Sequence, residues 1–143
     1  MSPLDEAIVR KKLTVIVQNL KALEPIRRMT RQEYLDDLYK RKAAERLLQE
    51  LIEAAIDINA HIITQTGNVV PDNYYESFTL LGDLKVISHD LARNIAPSAG
   101  LRNRLVHEYD LIDHDLVLDA IGLAENLYAQ YVKEIESFIT GSK

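Results

Sequence analysis

The 143 residues carry 17 Lys and Arg against 22 Asp and Glu, a net charge of −5, and no cysteine. That length suits one domain burying roughly two-thirds of its unfolded surface, and the composition excludes disulfides, thiolate zinc sites, iron–sulfur clusters and a cysteine nucleophile. The acidic balance argues against a general nucleic-acid coat, although residues 1–50 hold 11 Lys and Arg against 8 Asp and Glu, and residues 51–143 hold 6 against 14.

No apolar run approaches the ~20 residues that span a bilayer. The opening Met1-Ser2-Pro3-Leu4-Asp5-Glu6 lacks the basic and apolar regions of a secretory signal. A soluble, cytoplasmic protein without a membrane partner is expected.

In chain order, Ser2 and Pro3 read as the cap and first residue of a helix whose stripe of Leu4, Ile8, Leu13, Ile16, Val17, Leu20 and Leu23 runs to Pro25. Thr30-Arg31-Gln32-Glu33 has the form of a capping box that opens a second helical run through Tyr34, Leu35, Leu38 and Tyr39. From Ala43 to about Thr66 a long central helix is predicted by Leu47, Leu48, Leu51, Ile52, Ala55, Ile58, Ile62 and Ile63, with its continuity into the preceding run left open. Its other side carries Arg46, Glu50, Glu53, Asp57, His61 and Gln65 at helical spacing. That stripe is either a solvated face with ion pairs or, at its Arg46 end or its Asp57–His61 middle, the wall of a cleft.

Gly67-Asn68 and Pro71-Asp72-Asn73 mark a loop, and Tyr74 to Phe78 lead into the next helix. Leu80, Leu81, Leu84, Ile87, Leu91 and Ile95 keep the helical period up to Pro97, which ends or kinks it. Asp113 reads as the cap of a final helix that reaches Thr140 and stops at Gly141, with Leu116, Ile121, Leu127, Ile135 and Ile139 on its buried side. There is no strand pattern and no repeat. The expectation is an all-α, antiparallel helical bundle forming one domain over residues 1–143.

Between the last two helical runs lies Leu101 to Asp113, which gathers Arg102, Asn103, Arg104, His107 and Tyr109. On a helix Asn103 and His107 share a face, whereas Arg102 and His107 point about 140° apart. The pair therefore meets only across a common pocket or in a groove made with a second subunit. A guanidinium can hold a phosphate by two parallel hydrogen bonds, and a histidine can move a proton near neutral pH. Those parts suffice for RNA cleavage without a metal, because the substrate's own 2′-hydroxyl attacks the adjacent phosphorus and the protein supplies only a proton shuttle and a cation. From the residues alone, surface or capping roles for Arg102 and His107 stay open, as does an ordinary packing role for Tyr109.

Arg102-Asn103-Arg104-Leu105-Val106-His107-Glu108-Tyr109 resembles the signature of the HEPN superfamily, and specifically its HepT-like ribonuclease toxins: an Arg, four spacers, a His, one spacer and a Tyr. The likeness extends more loosely over about residues 40–140. The resemblance implies a homodimer of helical bundles whose paired motifs line one RNA-cutting cleft that needs no metal. Arg102 would hold the scissile phosphate, His107 would act as general acid or base, and Asn103 would orient His107 or the RNA. It also implies a partner, a minimal nucleotidyltransferase antitoxin that moves AMP from ATP onto Tyr109, so the chain itself would need no cofactor.

Two other readings remain beside it. One is a non-catalytic helical module, a nucleotide-binding or adaptor partner of a nucleotidyltransferase. The other is a metal-carboxylate bundle using Asp57 and His61, although such bundles usually carry Glu-x-x-His pairs on two helices and this sequence has none. His89 and His114 read as surface or capping residues.

Overall fold

The computed structural model describes residues 3–141, with side chains from Asp5 onward. The Ser2 cap and the Leu4 side chain lie outside the described residues. Among the described residues seven α-helices form the bundle: α1 (Pro3–Arg27), α2 (Arg31–Asp36), α3 (Leu38–Gln65), α4 (Tyr74–Asp83), α5 (His89–Ile95), α6 (Ser98–His107) and α7 (His114–Thr140). A 3-10 turn over Tyr109–Leu111 joins the last two. No strand occurs among the described residues.

Local side-chain chemistry sets most helix ends. The Thr30 hydroxyl accepts from the Glu33 amide while the Glu33 carboxylate accepts from the Thr30 amide at 2.7 Å, so the predicted capping box is formed. Asp37, in extended conformation, separates α2 from α3, and its carboxylate caps the Lys40 amide. Asp113 caps α7 through the amides of Asp115 and Leu116, and Gly141 ends it at φ 72°, a left-handed conformation suited to glycine.

Two predicted features differ. Pro25 does not stop α1, which continues to Arg27. Proline removes one amide donor, but here it sits on the exposed side of the last turn while Leu23 and Ile26 are buried and hold that turn in the core. The helix expected to run through Leu84 and Ile87 is two helices. Lys85 adopts φ 62°, and the Ser88 hydroxyl caps α5 through the Leu91 amide. At Gly82 the two helices touch so closely that an added Cβ would lie 2.7 Å from that of Ala92.

Apart from Ile8 and Leu116, most residues of the predicted stripes of α1 and α7 lie in or against the core, and the core on each helix is wider than expected. Val9, Leu13, Ile16 and Leu23 are buried on α1, and Ile8 is exposed. On α7 the core residues are Val117, Ile121, Ala124, Tyr128, Tyr131 and Ile135, whereas Leu116 is exposed and Leu127 and Ile139 are partly buried. The two tyrosines enter the core because each phenol finds a partner. Tyr128 pairs with Ser98 Oγ at 2.7 Å, and Tyr131 donates to Asn59 Oδ1 at 2.6 Å. Burial pushes both phenols above their usual pKa.

Uneven charge along the sequence has a structural outlet. Arg10 of α1 pairs with Glu136 of α7, Arg27 with Glu125, and Arg31 of α2 with Asp115. Hydrogen bonds from Arg31 hold the Asp115 carboxyl below the ordinary carboxylate range. The basic first third is thereby laid along the acidic last helix. Among the described residues, no helix is long and apolar enough to cross a membrane.

Candidate active site

The second turn of α6 presents Arg102 toward α3. Its Nε and Nη2 donate to Glu53 Oε2 at 3.0 and 2.8 Å, and its Nη1 donates to Asn103 Oδ1 at 3.2 Å. The Tyr74 ring, at the first residue of α4, lies beneath the guanidinium with its centroid 5.2 Å from Cζ. The Arg102 side chain is only 17% exposed. A guanidinium has five N–H donors; three are engaged here, which leaves two for a ligand. A partly desolvated cation, fixed in plane and bound on one side, is suited to receive an anion on its open side.

This arrangement rests on a polar chain inside the bundle. Tyr131 of α7 donates to Asn59 of α3, Asn59 Nδ2 donates to Ser77 Oγ of α4 at 3.1 Å, and Ser77 donates to the Tyr74 carbonyl at 2.7 Å. Asn73 caps α4 through the Glu76 amide. The helix end carrying Tyr74 is therefore tied to buried residues of α3 and α7.

The other motif residues are more open. His107 is the last residue of α6 and is exposed, with no side-chain hydrogen bond among the described residues. Tyr109 lies beyond the helix in the 3-10 turn and is 66% exposed. Asn103 touches Arg102, a partner that its position on the His107 face does not suggest. Within one chain, then, Arg102 is braced against α3 and α4 while His107 stands free at the helix end. Arg104 is exposed and lines an apolar groove of about 260 Å³ with Leu101, Leu116, Leu123 and Leu127.

Of the two cleft candidates on α3, Arg46 pairs with Glu50 at 3.2 Å and Asp57 with Lys12 of α1 at 3.0 Å. The stripe they share is mainly a seam with α1, since Asn19 donates to Glu50 and His61 pairs with Asp5. Glu53 alone of that stripe turns to Arg102. No cluster of three or more His, Asp or Glu side chains suited to a metal occurs among the described residues. His114 packs edge-on against Tyr34, and His89 lies 3.4 Å from Asp83. In the sequence Glu53 is one member of the charged stripe on the central helix and Tyr74 opens a helix, and neither is tied to Arg102. The available signal was an arginine on a helix backed by core, which requires a carboxylate from a neighbouring element.

The family model for HepT-like ribonucleases matches residues 16–136. This chain belongs to the HepT-like ribonuclease family. A curated relative, the tRNA nuclease HepT of Aphanizomenon flos-aquae, is 38% identical over 97% of this chain and 95% of its own length. Two solved structures share the HepT-like fold. One, described as a toxin–antitoxin with AMP-PNP, has a TM-score of 0.83 at 27% identity and covers 92% of this chain and 98% of its own. The other, a tri-AMPylated Shewanella oneidensis HEPN toxin in complex with MNT antitoxin, has a TM-score of 0.82 at 26% identity and covers 96% and 99%. The expected all-α HEPN fold and HepT-like membership are thus both borne out.

Proposed function

We propose that this chain is a cytoplasmic, metal-independent endoribonuclease toxin, active as a homodimer and silenced when a minimal nucleotidyltransferase antitoxin transfers AMP from ATP to Tyr109. The observation that carries this reading is Arg102: a partly buried guanidinium held by Glu53, Asn103 and Tyr74 with two donors left, in a chain of the HepT-like family. The relative from Aphanizomenon flos-aquae is called a tRNA nuclease, and the Shewanella oneidensis toxin is AMPylated in its antitoxin complex. Both support the assignment.

In the proposed reaction the phosphate of the scissile bond sits on the open edge of Arg102. A 2′-hydroxyl loses its proton to a neutral His107 and attacks the adjacent phosphorus. The bond to the 5′-oxygen breaks, that oxygen takes a proton from a protonated His107, and the products are a 2′,3′-cyclic phosphate and a 5′-hydroxyl. One histidine cannot be base and acid in the same event, and a dimer with facing motifs supplies two. Arg102 offsets the charge that grows on the non-bridging oxygens. The chain itself then needs no cofactor.

Purified protein should cleave single-stranded RNA in excess EDTA, run at twice its 16.3 kDa, and fail on RNA with a 2′-deoxy sugar at the cut position. RNA left intact would instead make the chain a non-catalytic adaptor. Glu53→Gln keeps the volume but removes the charge that fixes Arg102. Its kcat should fall about tenfold, equivalent to ~1.4 kcal/mol of lost transition-state stabilisation, with a smaller change in KM. An unchanged kcat would show that Glu53 does not orient Arg102.

A further inference from the structure

The loop before α4 and the first turn of α4 expose an unusual amount of apolar surface. Val69 is 89% exposed, Tyr75 47% and Tyr74 40%, and Val70 is also open. An exposed aromatic beside a phosphate-binding cation is more than unburied surface when its backbone is fixed. Tyr74 meets that condition, because its carbonyl accepts from Ser77, which is linked through Asn59 to Tyr131, and all three are buried.

From this geometry we propose that Tyr74 is a base-stacking subsite, which takes the nucleobase next to the phosphate held by Arg102. The inference rests on the nuclease reading above and adds to it how single-stranded RNA is gripped. A phosphate on the open edge of Arg102 brings its neighbouring nucleoside alongside the ring, because ring and guanidinium are already in contact. Every base has a π-face, so stacking there accepts any sequence. The backbone that carries the ring is already held by the Tyr131–Asn59–Ser77 chain, and Arg102 lies against the ring itself, so little conformational freedom is lost on binding. Arg102 then has two tasks at once, pairing with the phosphate and covering one face of the ring, so that the base takes the other face.

The test uses a single-stranded oligoribonucleotide that the wild type cuts, made with a 2′-deoxy sugar at the cut position so that binding is measured alone. It is paired with versions that are abasic at the nucleotide on either side. Tyr74→Ala should weaken binding of the intact oligonucleotide by about five- to a hundredfold, and Tyr74→Phe should bind as wild type. One abasic version should bind wild type as weakly as the intact RNA binds Tyr74→Ala, and Tyr74→Ala should lose nothing more with it. Equal losses on intact and abasic RNA would overturn the subsite, since the ring would then serve only to pack Arg102. So would an unchanged affinity in Tyr74→Ala. Tyr74→Leu, which keeps apolar bulk under Arg102 but has no π-face, should behave as Tyr74→Ala; wild-type affinity in Tyr74→Leu would overturn it as well. A wild type that neither cuts nor binds RNA removes the nuclease reading itself, an outcome separate from a wild type that binds without a Tyr74 effect.

Discussion

His107→Ala is expected to abolish toxicity and slow RNA cleavage by about 10²- to 10⁴-fold, the span associated with loss of a positioned proton-transfer group. The variant should fold as wild type does. His107 is exposed at the end of α6 and holds no side-chain hydrogen bond among the described residues, so its removal opens no cavity and orphans no partner. Surface substitutions of this kind usually shift stability by no more than about 0.5 kcal/mol, and a histidine at a helix C-terminus adds only a modest dipole interaction. Cleavage rates and urea midpoints of the two proteins would separate chemistry from folding. Cleavage within tenfold of wild type would remove His107 from the proton shuttle.

The second large effect concerns control. After incubation with the nucleotidyltransferase and ATP, the intact mass of the wild type should rise by whole AMP units, and Tyr109→Phe should show no rise. Co-expressed antitoxin should also fail to rescue growth by modification. Phenylalanine keeps the ring and deletes only the acceptor oxygen. Tyr109 is accessible because it lies in the 3-10 turn, with Leu111 beside it 77% exposed. An adenylyl group there would place a phosphodiester charge and a base near the end of α6, where the charge can pair with an arginine and the base can fill the groove. A mass gain that persists in Tyr109→Phe would place the modification on another side chain.

Features that depend on neighbours along the chain were legible in the sequence. The capping box at Thr30 and Glu33, the Asp113 cap and the Gly141 stop are all bonds between residues a few positions apart, so residue type and spacing specify them. The break between α4 and α5 was hidden because both helices bury their apolar sides in the same core. Leu81 and Leu91 are as buried as residues of one helix would be, and the period runs unbroken across the turn. The buried face of α7 is legible at Ile121 and Ile135, but its tyrosines are not. Tyr128 and Tyr131 are interior only because Ser98 and Asn59 meet their hydroxyls, and those partners are distant in sequence. The site divides in the same way. The Arg102–His107–Tyr109 spacing is short and visible, whereas Glu53 reaches Arg102 from 49 positions away and Tyr74 from the start of α4, with α5 in between.

The pairing of α1 and α2 with α7 also has a consequence for synthesis. Arg10, Arg27 and Arg31 emerge early, but Glu136, Glu125 and Asp115 follow only after every other helix has been made. At ~5–20 residues per second, α1 waits for seconds without the helix that neutralises it. α6, which carries the motif, also precedes Tyr128 and Tyr131, which anchor its start and the Tyr74 platform. The polar chain behind Tyr74 and the Ser98–Tyr128 bond at the start of α6 are therefore completed only when α7 has been made.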